Sequence, residues 1–85
     1  MKTLFIVGAS SDVGTALIEK VADSYEIIWA HYLHWNDNLE RLKSIYKDKI
    51  RFVYADLFLV DDIERMISDI RESGDLPNHI VHFPM

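Results

Sequence analysis

The sequence predicts an α/β fold, a doubly wound parallel sheet with helices on both of its faces. Short apolar runs alternate along the chain with segments whose apolar residues recur at helical spacing, which is the pattern of βα units. The runs are almost continuously apolar, as expected for strands buried on both faces of a parallel sheet. No repeat, low-complexity tract or linker interrupts the alternation, so we expect a single domain over residues 1–85.

The first half of the chain predicts one βαβ unit. We expect a strand over residues 3–7, a helix that begins at Ser11 or Asp12 and ends near residue 24, and a second strand over 26–32. Such a helix joins its two strands by a right-handed crossover, so the strands should pair in parallel. The inner stripe of the helix is predicted to consist of Val13, Leu17 and Val21.

The middle of the chain predicts a second helix and a third strand. One residue of the segment 36–38 should cap the helix, which should run to about residue 47. A strand is expected over 51–55. The apolar residues of the helix that fit one inner stripe are Leu39, Leu42 and Tyr46.

The last third predicts a third helix and a fourth strand. Asp61, with Glu64 three residues later, is typical of a capping box, and Gly74 suits the position after the last helical turn. The fourth strand is expected over 79–83. The residues that fit the buried face of the helix are Ile63, Met66, Ile67 and Ile70.

These connections predict the strand order 3-2-1-4. Two helices should cover one face of the sheet and the third helix the other. The fourth strand is then left at an edge, although its composition suits a buried position. Because exposed apolar edges and faces invite pairing with another chain, we expect a homo-oligomer that forms through this strand or through the uncovered face beside it.

The segment 7–14, Val-Gly-Ala-Ser-Ser-Asp-Val-Gly, lies between the first strand and the first helix. Such a junction directs backbone N–H groups and the positive end of a helix at one point, which suits the phosphates of a nucleotide. An ordinary βα turn with two glycines is the alternative interpretation. The loop residues that we expect at a phosphate site are Gly8, Ser10, Ser11, Asp12, Val13 and Gly14.

Composition excludes several other functions. The formal net charge of −5 argues against binding to nucleic acid or to an anionic membrane surface, since both require a positive field. The chain has no cysteine, and its N-terminal apolar run is too short for a signal peptide or a membrane span. We therefore expect a cytoplasmic protein that binds neither nucleic acid nor membranes.

Three segments resemble the short-chain dehydrogenase/reductase family. The segment 8–14 resembles the family's glycine loop, Tyr54-Ala55-Asp56-Leu57 resembles the segment after its third strand, and residues 80–85 fall where the family has its fourth strand. The resemblance implies the N-terminal, NAD(P)-binding half of a Rossmann-like three-layer domain, βαβαβαβ. It also implies that Asp56 and Leu57 lie beside the adenine of the cofactor.

The sequence departs from the family pattern at three places. Val7 stands in place of a threonine, and Asp12 in place of the middle glycine of the loop. An acid at a helix start stabilises the helix dipole but would repel phosphate if it pointed inward, and we expect Asp12 to face solvent. His82, Phe83 and Pro84 replace the family's Asn-Asn-Ala, so no role is transferred to them.

The end of the second strand bears on the choice between NAD and NADP. An acid there binds the ribose 2′-OH of NAD, whereas a basic residue accommodates the 2′-phosphate of NADP. Residues 30–35 contain neither an acid nor an arginine, but Tyr32 and His34 lie at the expected place. The His31-Tyr32 pair resembles family members that use NADP, so we favour NADP over NAD. An exposed loop with no cofactor contact is the alternative.

The chain lacks the catalytic pattern of the family. That chemistry uses a Tyr-x-x-x-Lys pair, and no tyrosine here is followed four residues later by lysine. We therefore predict no catalytic residues, an inactive chain, and the N-terminal part of a longer oxidoreductase acting on a carbonyl or alcohol. The alternative is a non-catalytic nucleotide-binding or protein-interaction module.

Two other kinds of site are disfavoured. The two His-x-x-His pairs, 31/34 and 79/82, place their side chains on opposite faces of extended chain, so no metal site is expected. Asp56 after the third strand is also compatible with a phosphoacceptor of the receiver-domain type. That function requires an acidic pair after the first strand, where Gly8 and Ala9 stand instead.

Overall fold

The computed structural model describes residues 2–82, in which four parallel strands alternate with three α-helices. Short 3₁₀ turns follow the first and second helices, at Ala22–Ser24 and Lys47–Lys49. None of the helices in this part of the chain has the length and apolar content needed to cross a membrane. The elements are β1 (Thr3–Val7), α1 (Asp12–Val21), β2 (Ile27–Tyr32), α2 (Asp37–Tyr46), β3 (Ile50–Tyr54), α3 (Val60–Ser73) and β4 (His79–His82).

The strands form one parallel sheet in the order β3-β2-β1-β4, which confirms the predicted topology. Phe5 of β1 lies opposite Trp29 of β2 on one side and Ile80 of β4 on the other. The chain moves outward from β1 to β3 and then returns across the sheet to β4. This reversal is the arrangement of a Rossmann-like half-domain.

Each face of the sheet has its own core, because successive side chains of a strand point to opposite faces. Leu4 and Ile6 of β1 pack with Ile18 of α1 and with Leu39 and Leu42 of α2. The opposite face is covered by α3 and comprises Phe5, Ile27, Trp29, Val53, Ala55, Met66 and Ile70. The prediction of two helices on one face and one on the other is therefore confirmed.

The inner face of α1 differs from the predicted stripe. The helix buries Gly14, Thr15 and Ile18, whereas the side chain of Val13 is 63% exposed. Leu17 and Val21 are only half-buried and lie on the flank of this core. Gly14 faces the preceding turn, and this close contact fixes the rotation of α1 about its own axis. The buried face of the helix is therefore shifted by one residue from the predicted stripe.

The N-caps of α1 and α2 agree with the predictions, and the N-cap of α3 does not. Ser11 caps α1 and Asn36 caps α2, each through a side-chain oxygen. The predicted cap at Asp61 is wrong, since α3 begins at Val60 and its N-cap position, Leu59, has no side-chain hydrogen bond. The helix ends as predicted at a left-handed Gly74, with φ 81°.

Strand β3 begins one residue earlier than predicted, at Ile50, and ends at Tyr54. The described part of β4 ends at His82, and the predicted last residue of this strand, Phe83, lies outside the described residues together with Pro84 and Met85. Asn78 ties β4 to the sheet, since its side-chain oxygen accepts a hydrogen bond from the Thr3 N–H over 2.8 Å.

Strand β4 lies at an exposed edge, beside an open groove of about 340 Å³. Ile80 is 66% exposed and Leu76 is 58% exposed. Ile67 fits the predicted buried face of α3, but its side chain is 44% exposed and lines this open groove. An apolar surface therefore remains open on the α3 side of β4.

The core on the α1 and α2 side should contribute strongly to stability through Ile18. Ile18 is fully buried between the sheet and the helices, so Ile18→Ala should lower the free energy of unfolding by about 2–5 kcal/mol, measured by urea denaturation. Ile45 on α2 is 53% exposed, and Ile45→Ala should change stability by no more than about 0.5 kcal/mol. Equal losses in the two variants would contradict the described packing of α1.

Candidate functional site

Three loops meet at one edge of the sheet, where β1, β2 and β3 end. They comprise residues 8–11 after β1, residues 33–36 after β2 and residues 55–59 after β3. In open parallel sheets, ligands bind outside the carboxyl ends of the strands, next to the point where the strand order reverses. That point here lies beside β1, the strand from which the chain departs to one side and to which it returns on the other.

The turn after β1 requires its two glycines. Gly8 has a φ of 86°, in the left-handed region that side chains other than glycine rarely adopt. A Cβ atom at Gly14 would lie 2.8 Å from the carbonyl oxygen of Gly8 and 3.1 Å from the Cα of Ala9. Helix α1 therefore rests directly on the backbone of the turn that precedes it.

Ser11 closes this turn onto the helix. Its hydroxyl accepts a hydrogen bond from the Gly14 N–H over 3.0 Å and donates to the Gly8 carbonyl over 3.2 Å. The helical ladder begins when the Thr15 N–H donates to the Ser11 carbonyl at 2.9 Å. The N–H groups of Asp12 and Val13 precede that bond, so they have no acceptor within the helix. These two groups and the helix dipole form an electropositive end at α1.

The side chain of Asp12 is exposed, as predicted, and is held to the side by the first turn of α2. Its Oδ1 accepts a hydrogen bond from Nδ2 of Asn38 over 2.9 Å. Asn36 donates from Nδ2 to the Ser10 carbonyl over 2.9 Å, so both asparagines bind the first loop. The carboxylate is thereby tied to the start of α2, and its negative charge stays near the N-terminal end of α1.

Four aromatic side chains of β2, the second loop and β3 contact one another. Tyr32 is half-buried, and its ring meets those of Trp35 and Tyr54 edge to face, with centroids 5.2 and 6.0 Å away. Trp35 also meets Phe52 at 4.9 Å. His34 is exposed on the second loop. Of the two residues predicted at this position, Tyr32 joins the cluster and His34 faces solvent.

The third loop is held by a network of carboxylates. Oδ1 of Asp56 accepts from the Phe58 N–H over 2.9 Å, and the Asp56 N–H donates to Oδ2 of Asp62 over 3.0 Å. Asp62 therefore accepts a hydrogen bond from the third loop and does not cap α3. Leu57 packs against the core on the α3 side. Asp56 is half-buried.

His31 is the central residue of the site that the sequence reasoning missed. The side chain is fully buried, its Nδ1 lies 3.1 Å from the Gly8 nitrogen, and its Nε2 lies 2.8 Å from the Ala55 carbonyl oxygen. The backbone carbonyl of His31 also accepts from the Ala9 N–H over 2.9 Å. The available signal was a polar residue in an otherwise apolar strand, whereas His31 was interpreted only as part of the His31-Tyr32 pair and of a disfavoured metal-ligand pair.

The histidines of the two pairs lie in different environments. His31 is buried in the sheet, whereas His34 of the same pair is exposed. His79 contacts the Tyr25 hydroxyl through Nδ1 at 3.0 Å. Within residues 2–82, no three histidine, aspartate or glutamate side chains are grouped closely enough to hold a metal ion.

The fold is similar to solved structures of short-chain dehydrogenase/reductases. One is described as a 3-oxoacyl-reductase from Bacillus thuringiensis, and another is a short-chain dehydrogenase/reductase from Serratia marcescens. Both align with a TM-score of 0.79 at 18% identity, covering 96% of this chain but 35% of theirs. The chain thus spans about a third of the length of these proteins. No protein-family model and no curated protein sequence matches it.

The contact between α1 and the glycine turn predicts an unusual sign for Gly14→Ala. Alanine in place of glycine normally stabilises a helix by about 0.5–1 kcal/mol. Here the added Cβ would meet the Gly8 carbonyl, so we expect a loss of about 1–3 kcal/mol in the free energy of unfolding.

Urea denaturation measures this loss. Ser44→Ala on the exposed face of α2 is the control, and it should stabilise the chain by about 0.5 kcal/mol or less. A stabilising Gly14→Ala would show that α1 does not rest on the turn.

Proposed function

We propose that this chain binds the ADP portion of NAD(P) and forms the N-terminal part of an oxidoreductase of the short-chain dehydrogenase/reductase type. The observation that carries the proposal is the direct packing of α1 on the glycine turn, with the N–H groups of Asp12 and Val13 left without helical acceptors. A pyrophosphate placed there would meet backbone donors and the positive end of the helix dipole.

The phosphate subsite in this proposal is built mainly from backbone. Gly8 gives the turn its left-handed conformation, and Gly14 lets α1 pack directly on that turn. Ser11 holds the turn by accepting from one N–H and donating to one carbonyl. Asp12 contributes its N–H while its carboxylate stays bound to Asn38. The remaining loop residues at this subsite are Ser10 and Val13.

The adenine subsite is assigned to Asp56 and Leu57. Adenine presents an amino donor beside a ring-nitrogen acceptor, so it requires an acceptor and a donor side by side. The free carboxylate oxygen of Asp56 supplies the acceptor, and the N–H of Leu57 supplies the donor on the next residue. Asp56 is positioned for this role by its own bonds to Phe58 and Asp62.

The preference for NADP over NAD rests on the end of β2. His34 is exposed next to the half-buried Tyr32, and a protonated imidazole would attract a 2′-phosphate. No acidic side chain follows β2 until Asp37, at the start of α2. An acid that selects the free ribose 2′-OH is therefore missing from the usual place.

In this proposal the nicotinamide side and the catalytic pair belong to residues outside this chain. The chain covers about a third of the solved structures that it resembles, and its tyrosines lack the paired lysine. The exposed groove beside β4 favours a second function, a module that binds another protein surface. The two functions differ in whether a nucleotide binds.

Nucleotide binding is the first test. Isothermal titration of the 85-residue chain should give similar, weak affinities for ADP and NADH, and likewise for 2′,5′-ADP and NADPH, because the nicotinamide finds few partners. Asp56→Ala should weaken ADP binding by about tenfold through loss of a charge-assisted hydrogen bond and leave pyrophosphate binding unchanged.

Asp61→Ala is the matched control, since this exposed acid of α3 lies outside the proposed subsites. NADPH that bound more than tenfold tighter than 2′,5′-ADP would contradict the absence of a nicotinamide site in this chain. A chain that bound none of these nucleotides would leave only the protein-interaction function.

Self-association through β4 is the second test. Light scattering at micromolar concentration should show a dimer or larger species, because Ile80, Leu76 and Ile67 are exposed around an open groove. Ile80→Lys should shift the mass toward the monomer. Val81 is a poorer probe, since it packs against the core on the α1 side.

Ile45→Lys on α2, also exposed, should leave the mass unchanged. A monomer of the unsubstituted chain that binds no hydrophobic dye would disprove the association, as would equal masses for the two lysine variants.

A further inference from the structure

We propose that His31 is a positioning residue that holds the glycine turn and the Asp56 loop at a fixed separation, so that one nucleotide can contact both. The proposal rests on the proposed nucleotide-binding function and adds a residue to it. Its basis is one fully buried imidazole whose two nitrogens contact the backbone of two different loops, at Gly8 and at Ala55.

The bridge crosses a strand. Strands β1 and β3 are not neighbours, because β2 lies between them in the sheet. The backbone bonds of this region join only adjacent strands, with the Ala9 N–H donating to His31 and the Ala55 N–H donating to Tyr32. The His31 side chain of β2 is therefore a single group that hydrogen-bonds both the loop after β1 and the loop after β3.

The partners fix the protonation of the ring. The Gly8 N–H can only donate, so Nδ1 must accept and carries no proton. The Ala55 carbonyl can only accept, so Nε2 must donate its proton. The bridge thus requires the neutral imidazole protonated at Nε2. Because both nitrogens lie in one rigid ring, the distance between the two loops is set by a group that cannot stretch.

The position of each end gives the bridge a role in binding. Gly8 is the residue of the turn with positive φ, and its carbonyl is the one that Gly14 and Ser11 contact. Ala55 directly precedes Asp56, the proposed adenine acceptor. A shift at either end would therefore displace one proposed subsite relative to the other. This shift should weaken the binding of a ligand that spans both subsites more than the binding of a ligand that occupies one.

Two substitutions break the bridge at opposite ends. In His31→Asn the side-chain amide reaches the place of Nδ1, so the Gly8 bond is kept and the Ala55 bond is lost. In His31→Gln the amide reaches the place of Nε2, so the Ala55 bond is kept and the Gly8 bond is lost. The control is His79→Asn, an exposed histidine at the opposite end of the sheet.

The first measurement is amide hydrogen exchange by NMR in the ligand-free chain. If His31 couples the loops, each variant should speed exchange in both segments, residues 8–11 and residues 55–58. If the two bonds act separately, each variant should affect only the segment whose bond it breaks, and this outcome would overturn the proposal. His79→Asn should change neither segment.

The second measurement is binding of pyrophosphate, adenosine and ADP by NMR titration. Each His31 variant should lose about tenfold in ADP affinity, the effect of one buried hydrogen bond. This loss should exceed the product of the losses for pyrophosphate and adenosine measured separately. Losses that multiply to the ADP value would mean that His31 acts on each subsite alone.

The two proposals can fail independently. If the unsubstituted chain binds no ADP, the proposed function fails, whereas the exchange measurement still decides whether His31 couples the loops. If neither variant folds, the ring ¹⁵N shifts of the unsubstituted chain at neutral pH decide. A ring protonated only at Nε2 supports the bridge, and a ring protonated at Nδ1 overturns it.

Discussion

The burial of β1 on both faces is the constraint on which the other features depend. Leu4 and Ile6 point to one face and Phe5 to the other, and all three are nearly inaccessible to solvent. Helices must therefore cover both faces, which forces the chain to leave β1 on one side and return on the other. The crevice that this reversal creates lies at the carboxyl end of β1, where the glycine turn stands.

Most polar groups of this crevice form hydrogen bonds with nearby residues, whereas the N–H groups at the start of α1 have no acceptor within the helix. Ser11 binds both ends of the turn, Asn38 binds the carboxylate of Asp12, and Asp62 binds the N–H of Asp56. Within residues 2–82, no buried side-chain nitrogen or oxygen lacks a hydrogen-bond partner. The N–H groups at the start of α1 differ because a helix offers them no acceptor. A glycine loop in which Asp12 replaces a glycine can thus keep its backbone N–H donors available.

Local pattern predicted the strands, the glycine turn and the cap at Ser11, because each depends on residues close together in the chain. The strand order followed from the handedness of the crossovers that join those elements. The rotation of α1 did not follow from its apolar stripe, since contact between Gly14 and the preceding turn outweighed burial of Val13. The role of His31 was also missed. Its partners Gly8 and Ala55 lie more than twenty residues away on each side, and only the folded sheet brings them together.

The two edges of the sheet are protected to different extents, and this difference identifies the surface open to a partner. At the β3 edge, Arg65 binds the Tyr54 carbonyl and lies over its ring, and Trp35 covers Phe52. Charged and aromatic side chains there discourage a further strand. At the β4 edge, Ile80 is exposed beside a groove that residues 2–82 leave without such cover. Since both edges present unpaired backbone groups, the self-association proposed above is expected at the β4 edge and not at the β3 edge.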